Sequence, residues 1–291
     1  MKDLTICIPV YKRLDFLKAL VESIPEEYPV CVSDNGNFVD DNFFCRKNVR
    51  IRHLDSIVPM FSNWNNAIEM VETKWFMLPG DDDVIYPDKL DSIMRQIDRS
   101  SDCGFLAFGY DLLNEKNDKR EGWVAKRTRR FEKTDAFYHI QRSIPYRSPA
   151  IVISTEKSRN IGNYCEEFAY TASDSLFLQH LALAYPMVEV NDIVAGYRMW
   201  ENNFTSMKVA TSEWFEQIDL WINKLAELLQ KYNINNVEIG KLHNLIICDN
   251  LMFALRNLHS YSSKYRLLTA IGWPEQVGWK NHLKMVRRFL I

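Results

Sequence analysis

The first hundred residues alternate between short apolar runs and stretches with helical spacing, and this alternation limits the fold more than any other feature of the chain. The runs LTICIPV, PVCVSDNG and KWFML have the composition and length of buried strands. Between the first two, Leu17, Leu20 and Val21 recur at helical spacing. Strands alternating with helices predict an α/β domain with a mostly parallel sheet flanked by helices.

Polar residues follow the predicted strands at the points where those strands end. PVYKR closes the first strand, SDNG the second and GDDD the one that ends near residue 78. Ligands of open α/β sheets bind beyond the carboxyl ends of the strands, so a site is expected there. Neither G-x-G-x-x-G nor G-x-x-x-x-G-K-[ST] occurs, which disfavours a dinucleotide oxidoreductase or a P-loop enzyme.

The pattern changes near residue 210. From there the chain shows long amphipathic helical periods, such as WFEQIDLWINKLAELLQKY, and no strand signal. The stretch NEKNDKREG at 114–122 is charged and predicts a solvated loop. We therefore expect one α/β domain over residues 1–209 and a helical appendage over 210–291.

Composition and charge exclude several classes of protein. With 36 basic and 38 acidic side chains, the chain lacks the positive field with which proteins bind nucleic acid. Six scattered cysteines without a C-x-x-C pair predict reduced thiols rather than disulfides or a zinc site. No apolar run approaches the length of a membrane span, and the expected location is the cytoplasm.

Three consecutive aspartates, Asp81, Asp82 and Asp83, follow the strand KWFML. In an extended segment alternate side chains share a side, so Asp81 and Asp83 would form a pincer of two carboxylates. Two such carboxylates repel unless one is protonated or a cation lies between them, and Mg²⁺ or Mn²⁺ suits oxygen ligands. The alternative is a solvated acidic turn that begins the next helix.

The order of these motifs resembles the family 2 glycosyltransferases of the GT-A fold. TICIPVYKR, VSDNG, SNWNNAIEMVETKWFMLPGDDD, ASDSLFLQHLAL and GYRMWENNFT occur in the family's order over about residues 4–205. The resemblance implies a GT-A, Rossmann-like sheet, a nucleotide-sugar donor and a D-x-D metal site for Mn²⁺ or Mg²⁺.

The resemblance also implies roles for individual residues. Asp83 and Asp81 would bind the metal, Asp81 or Asp82 would contact the ribose, and the frame of the motif leaves open which two aspartates act together. The other nucleotide contacts would come from Pro9, Val10, Tyr11, Arg13, Asp34, Asn65 and Asn66.

Three further regions are assigned by the same resemblance. Asp174 stands where the family places its catalytic base, although a helix cap would also explain an aspartate at that position. Arg198 would help to neutralise the diphosphate, and Trp200 replaces the histidine usual in the family. Arg147 lies where relatives line the acceptor pocket, or is a plain surface arginine.

The expected activity is inverting, metal-dependent transfer of a sugar from a nucleotide-diphosphate donor, UDP-linked by family habit. The acceptor would be a hydroxyl of a glycan or lipid-linked glycan in surface polysaccharide synthesis. A nucleotidyltransferase and a sugar-nucleotide-binding module without catalysis are the alternatives. The sequence leaves the donor sugar, the linkage and the oligomeric state open.

The last segment, residues 279–291, has an apolar face and a basic face. Trp279, Leu283, Val286 and Leu290 share one side of the helical projection. This pattern is typical of a helix at an anionic membrane surface, here the inner face of the membrane. The alternative is an ordinary terminal helix docked on the domain.

Overall fold

The computed structural model describes residues 1–200, 208–275 and 277–290. The chain divides into two compact units. The first comprises Met1–Ile140, Ile144–Glu167 and Phe177–Trp200, and the second comprises Gln141–Ser143, Phe168–Leu176 and the described residues after 200. The sequence motif GYRMWENNFT runs into residues 201–205, which lie outside the described part of the chain.

One mixed sheet forms the centre of the first unit. Its strands are β1 Leu4–Val10, β2 Val30–Asn35, β3 Val49–Leu54, β4 Trp75–Met77, β5 Val84–Ile85, β6 Phe105–Leu113, β7 Lys119–Trp123, β8 Arg129–Phe131, β9 Ile151–Ser154 and β10 Met187–Arg198. Hydrogen bonding connects them in the order β3-β2-β1-β4-β9-β6-β10-β5, with β7 beside β6 and β8 beside β10. The α/β fold class expected from the alternation is confirmed.

The direction of the strands decides where the polar strand ends meet. β3, β2, β1 and β4 are parallel, and β9 runs antiparallel to both β4 and β6. β6 therefore runs in the direction of β4, and β10 is parallel to β6. As a result, the carboxyl ends of β1, β4, β6 and β10 all lie at one edge of the sheet.

Helices cover the sheet because each carries one apolar stripe. In the first, Leu17, Leu20 and Val21 are buried, as their spacing predicts. Pro87 and Pro149 each stand in a short 3₁₀ turn, where a missing backbone N–H costs little. The helices are α1 Leu14–Ser23, α2 Met60–Glu69, α3 Leu90–Asp98, α4 Asp135–Ile140, α5 Thr155–Ile161 and α6 Ser173–Ala184.

The described part of the second unit is built mainly from helices after residue 210. They are α7 Ser212–Lys231, α8 Ile239–Asn257, α9 Tyr261–Ile271 and α10 Trp279–Leu290. Thr211 and Ser260 cap α7 and α9, since their hydroxyl oxygens accept from the amides of Trp214 and Ser263. The expected C-terminal helices are present, and the domain boundary at 209 remains a prediction.

The structure corrects the expectation of a loop at 114–122. Residues 114–118 form a turn and Lys119–Trp123 forms β7, paired antiparallel with β6. Charge alone predicted a loop, but an edge strand tolerates charged side chains because they project into water. The short strands β5 and β8 were also not predicted, since two or three residues carry too little periodicity.

Candidate active site

The aspartate triplet lies in a tight turn at the edge where the strand ends meet. The amide of Asp83 donates to the Gly80 carbonyl at 3.2 Å, and the Gly80 amide donates to Asp83 Oδ2 at 2.8 Å. A Cβ at position 80 would lie 2.9 Å from Asp82 Oδ1 and 3.1 Å from Asp83 Oδ2. The close approach of these carboxylates therefore requires glycine at this position.

Arg13 holds two of the three carboxylates together. Its Nη2 lies 2.5 Å from Asp81 Oδ1, and its Nη1 donates to Asp82 Oδ2. The Asp81 side chain is 1% exposed, whereas that of Arg13 is 46% exposed. The alternation expected for an extended segment placed Asp81 with Asp83, but in this turn Asp81 and Asp82 share the partner.

Burial makes the acidic turn hard to ionise. Desolvation raises the pKa of Asp81 to about 6, although the Arg13 guanidinium acts in the opposite direction. Desolvation and the Asp82 carboxylate raise the pKa of Asp83 to about 8, against the lowering effect of its backbone N–H donors. A further positive charge would favour ionisation of both groups.

Arg198, expected at the diphosphate, lies buried behind the turn. Its amide donates to Asp83 Oδ1 at 3.1 Å and its Nε donates to the Asp82 carbonyl at 2.7 Å. Nη1 and Nη2 donate to the Asn114 carbonyl and to Asn117 Oδ1, at 2.8 and 2.7 Å. The guanidinium thus ties the acidic turn to the turn between β6 and β7.

Trp200 closes the other side of the acidic turn. Its indole Nε1 donates to Asp82 Oδ2, the oxygen that Arg13 also contacts. The ring meets Phe16 edge to face, with centroids 5.3 Å apart, and Arg198 Cζ lies 4.9 Å from the Phe16 ring centre. Phe16 is therefore a platform for this corner, a role that its place in the sequence did not indicate.

The end of β1 presents an aromatic surface beside the carboxylates. Pro9 and Val10 are buried, whereas Tyr11 is exposed and its amide lies 3.4 Å from Asp81 Oδ2. The Tyr11 and Phe38 rings meet edge to face, with centroids 5.6 Å apart. An exposed ring next to carboxylates offers a flat surface against which a nucleotide base can lie.

Asp34, expected among the nucleotide contacts, is fully buried and bonded within the chain. Its two oxygens accept from the amides of Phe38 and Val39 at 3.0 and 2.8 Å. His53 Nδ1 lies 2.9 Å from Asp34 Oδ2, a pairing that sequence spacing does not reveal. In this arrangement Asp34 holds the loop that carries Phe38.

The two asparagines of α2 have different surroundings. Asn65 Nδ2 donates to the Tyr164 carbonyl at 2.9 Å and to Glu166 Oε1 at 2.7 Å, while Asn65 Oδ1 accepts from the Tyr164 amide. The side chain thus fastens α2 to the segment after α5. Asn66 is half-buried, and its carbonyl accepts from Arg52.

The remaining predicted residues lie on separate elements. Arg147 is exposed at the start of a 3₁₀ turn, 5.6 Å from the ring centre of Tyr197 and 6.0 Å from that of Tyr110. Asp174 lies in the first turn of α6, within the second unit, and its Oδ1 accepts from the Ser175 amide at 2.8 Å.

The acidic turn offers a donor set that fits a hard divalent cation. Carboxylate oxygens of Asp81 and Asp82 converge on one positive group, while both oxygens of Asp83 accept backbone N–H bonds. Within the described ranges, no three acidic, histidine or cysteine side chains converge into a complete metal centre. A metal here would take further ligands from water or from a bound phosphate.

A cavity of about 500 Å³ lies beside β5 and does not include these residues. Tyr86, Asp111, Lys119 and Asp192 help to line it. Two of its carboxylates already have partners, because Tyr86 Oη donates to Asp111 at 2.7 Å and Lys89 Nζ lies 2.8 Å from Asp192. The cavity is therefore separate from the acidic turn, which stays the candidate site.

The family model described as Glycosyl transferase family 2 matches residues 5–153, which is more than half of the chain. A comparison with curated proteins found no match.

Solved structures share the fold at low identity. S. aureus TarS 1–349 in complex with UDP-GlcNAc is 14% identical with a TM-score of 0.67, and the alignment covers 99% of this chain and 89% of that one. S. aureus TarS 1–349 without a named ligand is 13% identical with a TM-score of 0.62, and the alignment covers 99% of this chain and 89% of that one. The mannosyltransferase PcManGT from Pyrobaculum calidifontis, in complex with GDP-Man and Mn²⁺, is 10% identical with a TM-score of 0.55. The alignment covers 99% of this chain and 84% of that one.

Proposed function

Because the chain belongs to glycosyl transferase family 2, we propose that it moves one sugar from a nucleotide-diphosphate donor to a hydroxyl of a glycan or lipid-linked glycan acceptor, with inversion. The setting would be surface polysaccharide synthesis. The family match favours this reaction over nucleotidyl transfer and over a binding module without catalysis.

One observation carries the proposal at the level of residues. At the carboxyl ends of the strands, an exposed Tyr11 stands beside two buried carboxylates, Asp81 and Asp82, that share the cation Arg13. A nucleotide-sugar presents a flat base and a doubly charged diphosphate. Tyr11 would receive the base, and Arg13, released from the carboxylates, would face the diphosphate.

Mn²⁺ or Mg²⁺ would be held by Asp81 and Asp82, with Asp83 as the third candidate. When bound, such an ion stabilises negative charge on a departing diphosphate. The chain's own part is to hold these carboxylates in place, which Gly80 permits by the turn and Arg198 secures from behind. Trp200 limits the access of water to Asp82 through its indole contact.

Asp174 is our candidate for the base that takes the proton from the acceptor hydroxyl. Its position in the first turn of α6 supports this role, since the N-terminal end of a helix keeps a carboxylate ionised and able to accept a proton. Arg147 is exposed next to two tyrosine rings and is proposed to contact the acceptor.

UDP is the proposed nucleotide. The solved TarS structure of similar fold holds UDP-GlcNAc, and that of PcManGT holds GDP-Man with Mn²⁺. Both support a nucleotide-sugar donor and leave UDP and GDP as the two leading candidates. The family habit inferred from the sequence favours UDP.

The test is a thermal-shift screen of UDP-, GDP-, CDP- and dTDP-sugars with and without Mn²⁺. We expect one nucleotide class to stabilise the protein, and the shift to require Mn²⁺. Asp82→Asn should abolish the metal-dependent part, whereas Asp88→Asn, at an exposed carboxylate close in sequence, should leave it intact. A screen in which no donor stabilises the protein would contradict the proposal.

A second measurement separates binding from chemistry. Asp174→Asn should retain the metal-dependent shift with the donor and lose sugar transfer to acceptor or water. Unaltered transfer by this variant would remove Asp174 as the base, and loss of the donor shift would instead assign it to donor binding.

A further inference from the structure

The last helix, α10, leaves its main apolar stripe exposed. Successive residues of a helix turn by 100°, so Trp279, Leu283, Val286 and Leu290 fall within a sector of about 60°. Their exposures are 68%, 59%, 42% and 58%. The helix therefore does not pack against the rest of its unit through this stripe.

The helix is nonetheless anchored within its own unit, by a different side. Met285 is fully buried and its sulfur lies 3.3 Å from Cys248 Sγ of α8. Lys264 Nζ donates to the carbonyls of Arg288 and Phe289 at 3.0 and 3.4 Å and so caps the end of α10. The exposed stripe belongs to a helix that is held in place from behind.

Aromatic residues extend this apolar surface. Trp273 is 42% exposed, and its indole Nε1 donates to His282 Nδ1 of α10 at 2.7 Å. Tyr261 and Tyr265, four residues apart on α9, are 60% and 65% exposed. Tyr261 Oη donates to the Leu290 carbonyl at 2.6 Å, which places this ring at the far end of the stripe. Tryptophan and tyrosine favour the boundary between lipid and water.

Positive charge lies along one flank of the stripe. Lys280, Lys284 and Arg287 are exposed and fall within a sector of about 60° next to the apolar one. Residues 261–290 carry six lysines and arginines and a single acidic residue, in a chain whose net charge is −2. Positive charge is therefore concentrated in this segment, and Lys280, Lys284 and Arg287 expose it beside the stripe, whereas Lys264 is buried.

From these observations we propose that α10, with Trp273, Tyr261 and Tyr265, forms a docking surface for an anionic lipid bilayer. A bilayer accepts an apolar stripe a few ångströms into its boundary while anionic headgroups pair with the flanking cations. The stripe is convex and lies on a single helix, which suits a deformable partner. The proposal does not rest on the proposed reaction. Its residues lie in the second unit, and its test measures the fraction of protein bound to vesicles and not sugar transfer.

The test is co-sedimentation of the full chain with phosphatidylcholine vesicles, with and without phosphatidylglycerol. We expect binding only to the anionic vesicles, weakened by salt. The triple variant Lys280→Glu, Lys284→Glu, Arg287→Glu should bind about a hundredfold more weakly or worse, since each cation near such a surface contributes about fivefold. Trp279→Ser combined with Leu283→Ser should weaken binding at unchanged charge.

The control makes the same charge change elsewhere. Lys116→Glu, Lys126→Glu, Arg127→Glu alters three exposed cations of the first unit and should bind like the parent protein. Equal weakening by both triple variants would mean attraction by net charge alone and would overturn the proposal. Absence of binding to anionic vesicles would also overturn the proposal. If the protein instead self-associates, and Trp279→Ser with Leu283→Ser abolishes that self-association, a second copy of the chain covers the stripe.

Discussion

Replacing Arg13 by methionine tests how the acidic turn is stabilised. The change leaves Asp81 and Asp82 without the cation that they share. Two unit charges about 4 Å apart attract by about 4 kcal/mol at an effective dielectric constant of about 20. The Arg13 side chain is 46% exposed, so screening lowers the expected net loss of unfolding free energy to about 1–3 kcal/mol.

Protonation should limit this loss at low pH. The pKa of Asp81 is already raised to about 6 by burial, and removing Arg13 raises it further. Asp81 can then take up a proton instead of remaining charged and buried. We therefore expect Arg13→Met to lose more unfolding free energy, measured by urea unfolding, at pH 8 than at pH 6. In a thermal scan it should appear as a decrease of about 2–10 °C, by the usual scaling for domains of this size.

Mn²⁺ should compensate for the missing guanidinium. In the parent protein the ion must displace Arg13 from these carboxylates, whereas in the variant it meets them without a competitor. Saturating Mn²⁺ should therefore raise the melting temperature of Arg13→Met more than that of the parent.

Lys18→Met, at an exposed cation on α1, is the matched control. It should change neither the unfolding free energy nor the rise in melting temperature that Mn²⁺ produces. Equal stability of Arg13→Met and the parent at pH 8, or an equal response to Mn²⁺, would refute this account of Arg13.

Two further predictions concern the same turn. The folded state raises the pKa of Asp83 from 3.8 to about 8, so between these values it binds a proton that the unfolded state has released, and stability falls as pH rises. Asp83→Asn should flatten this decline in urea unfolding between pH 5 and 8, and an unchanged slope would contradict the raised pKa. Arg198→Lys should cost about 3–5 kcal/mol in urea unfolding, since an ammonium cannot make all three bonds to Asp82, Asn114 and Asn117. A loss below about 1 kcal/mol would show that these bonds add little.

Local patterns were enough to predict the elements that surround the site. β1 and β4 were recognised because apolar runs bounded by polar residues have few alternatives inside a buried sheet. The apolar spacing of Leu17, Leu20 and Val21 predicted the buried face of α1. β5 and β8 were missed, since both depend on pairing with β10 and not on their own sequence.

The partners within the site could not be read from the sequence. Arg13 and Asp81 are 68 residues apart, and Arg198 and Asp82 are 116 residues apart. Such pairs meet only after β1, β4 and β10 are ordered in the sheet. The expected pairing of Asp81 with Asp83 assumed extended backbone, which the turn closed by Asp83 and Gly80 replaces.

The amino-acid sequence alone determined the α/β class, the position of the acidic triplet after a strand and the amphipathic nature of the last helix. These properties follow from the spacing of apolar and polar side chains, which is local. Tertiary structure decided that Arg13 bridges Asp81 and Asp82, that Arg198 is buried, and that α10 docks through Met285 and leaves Trp279 exposed. Those outcomes depend on which distant segments the sheet and the helices bring together, and on how much water remains between them.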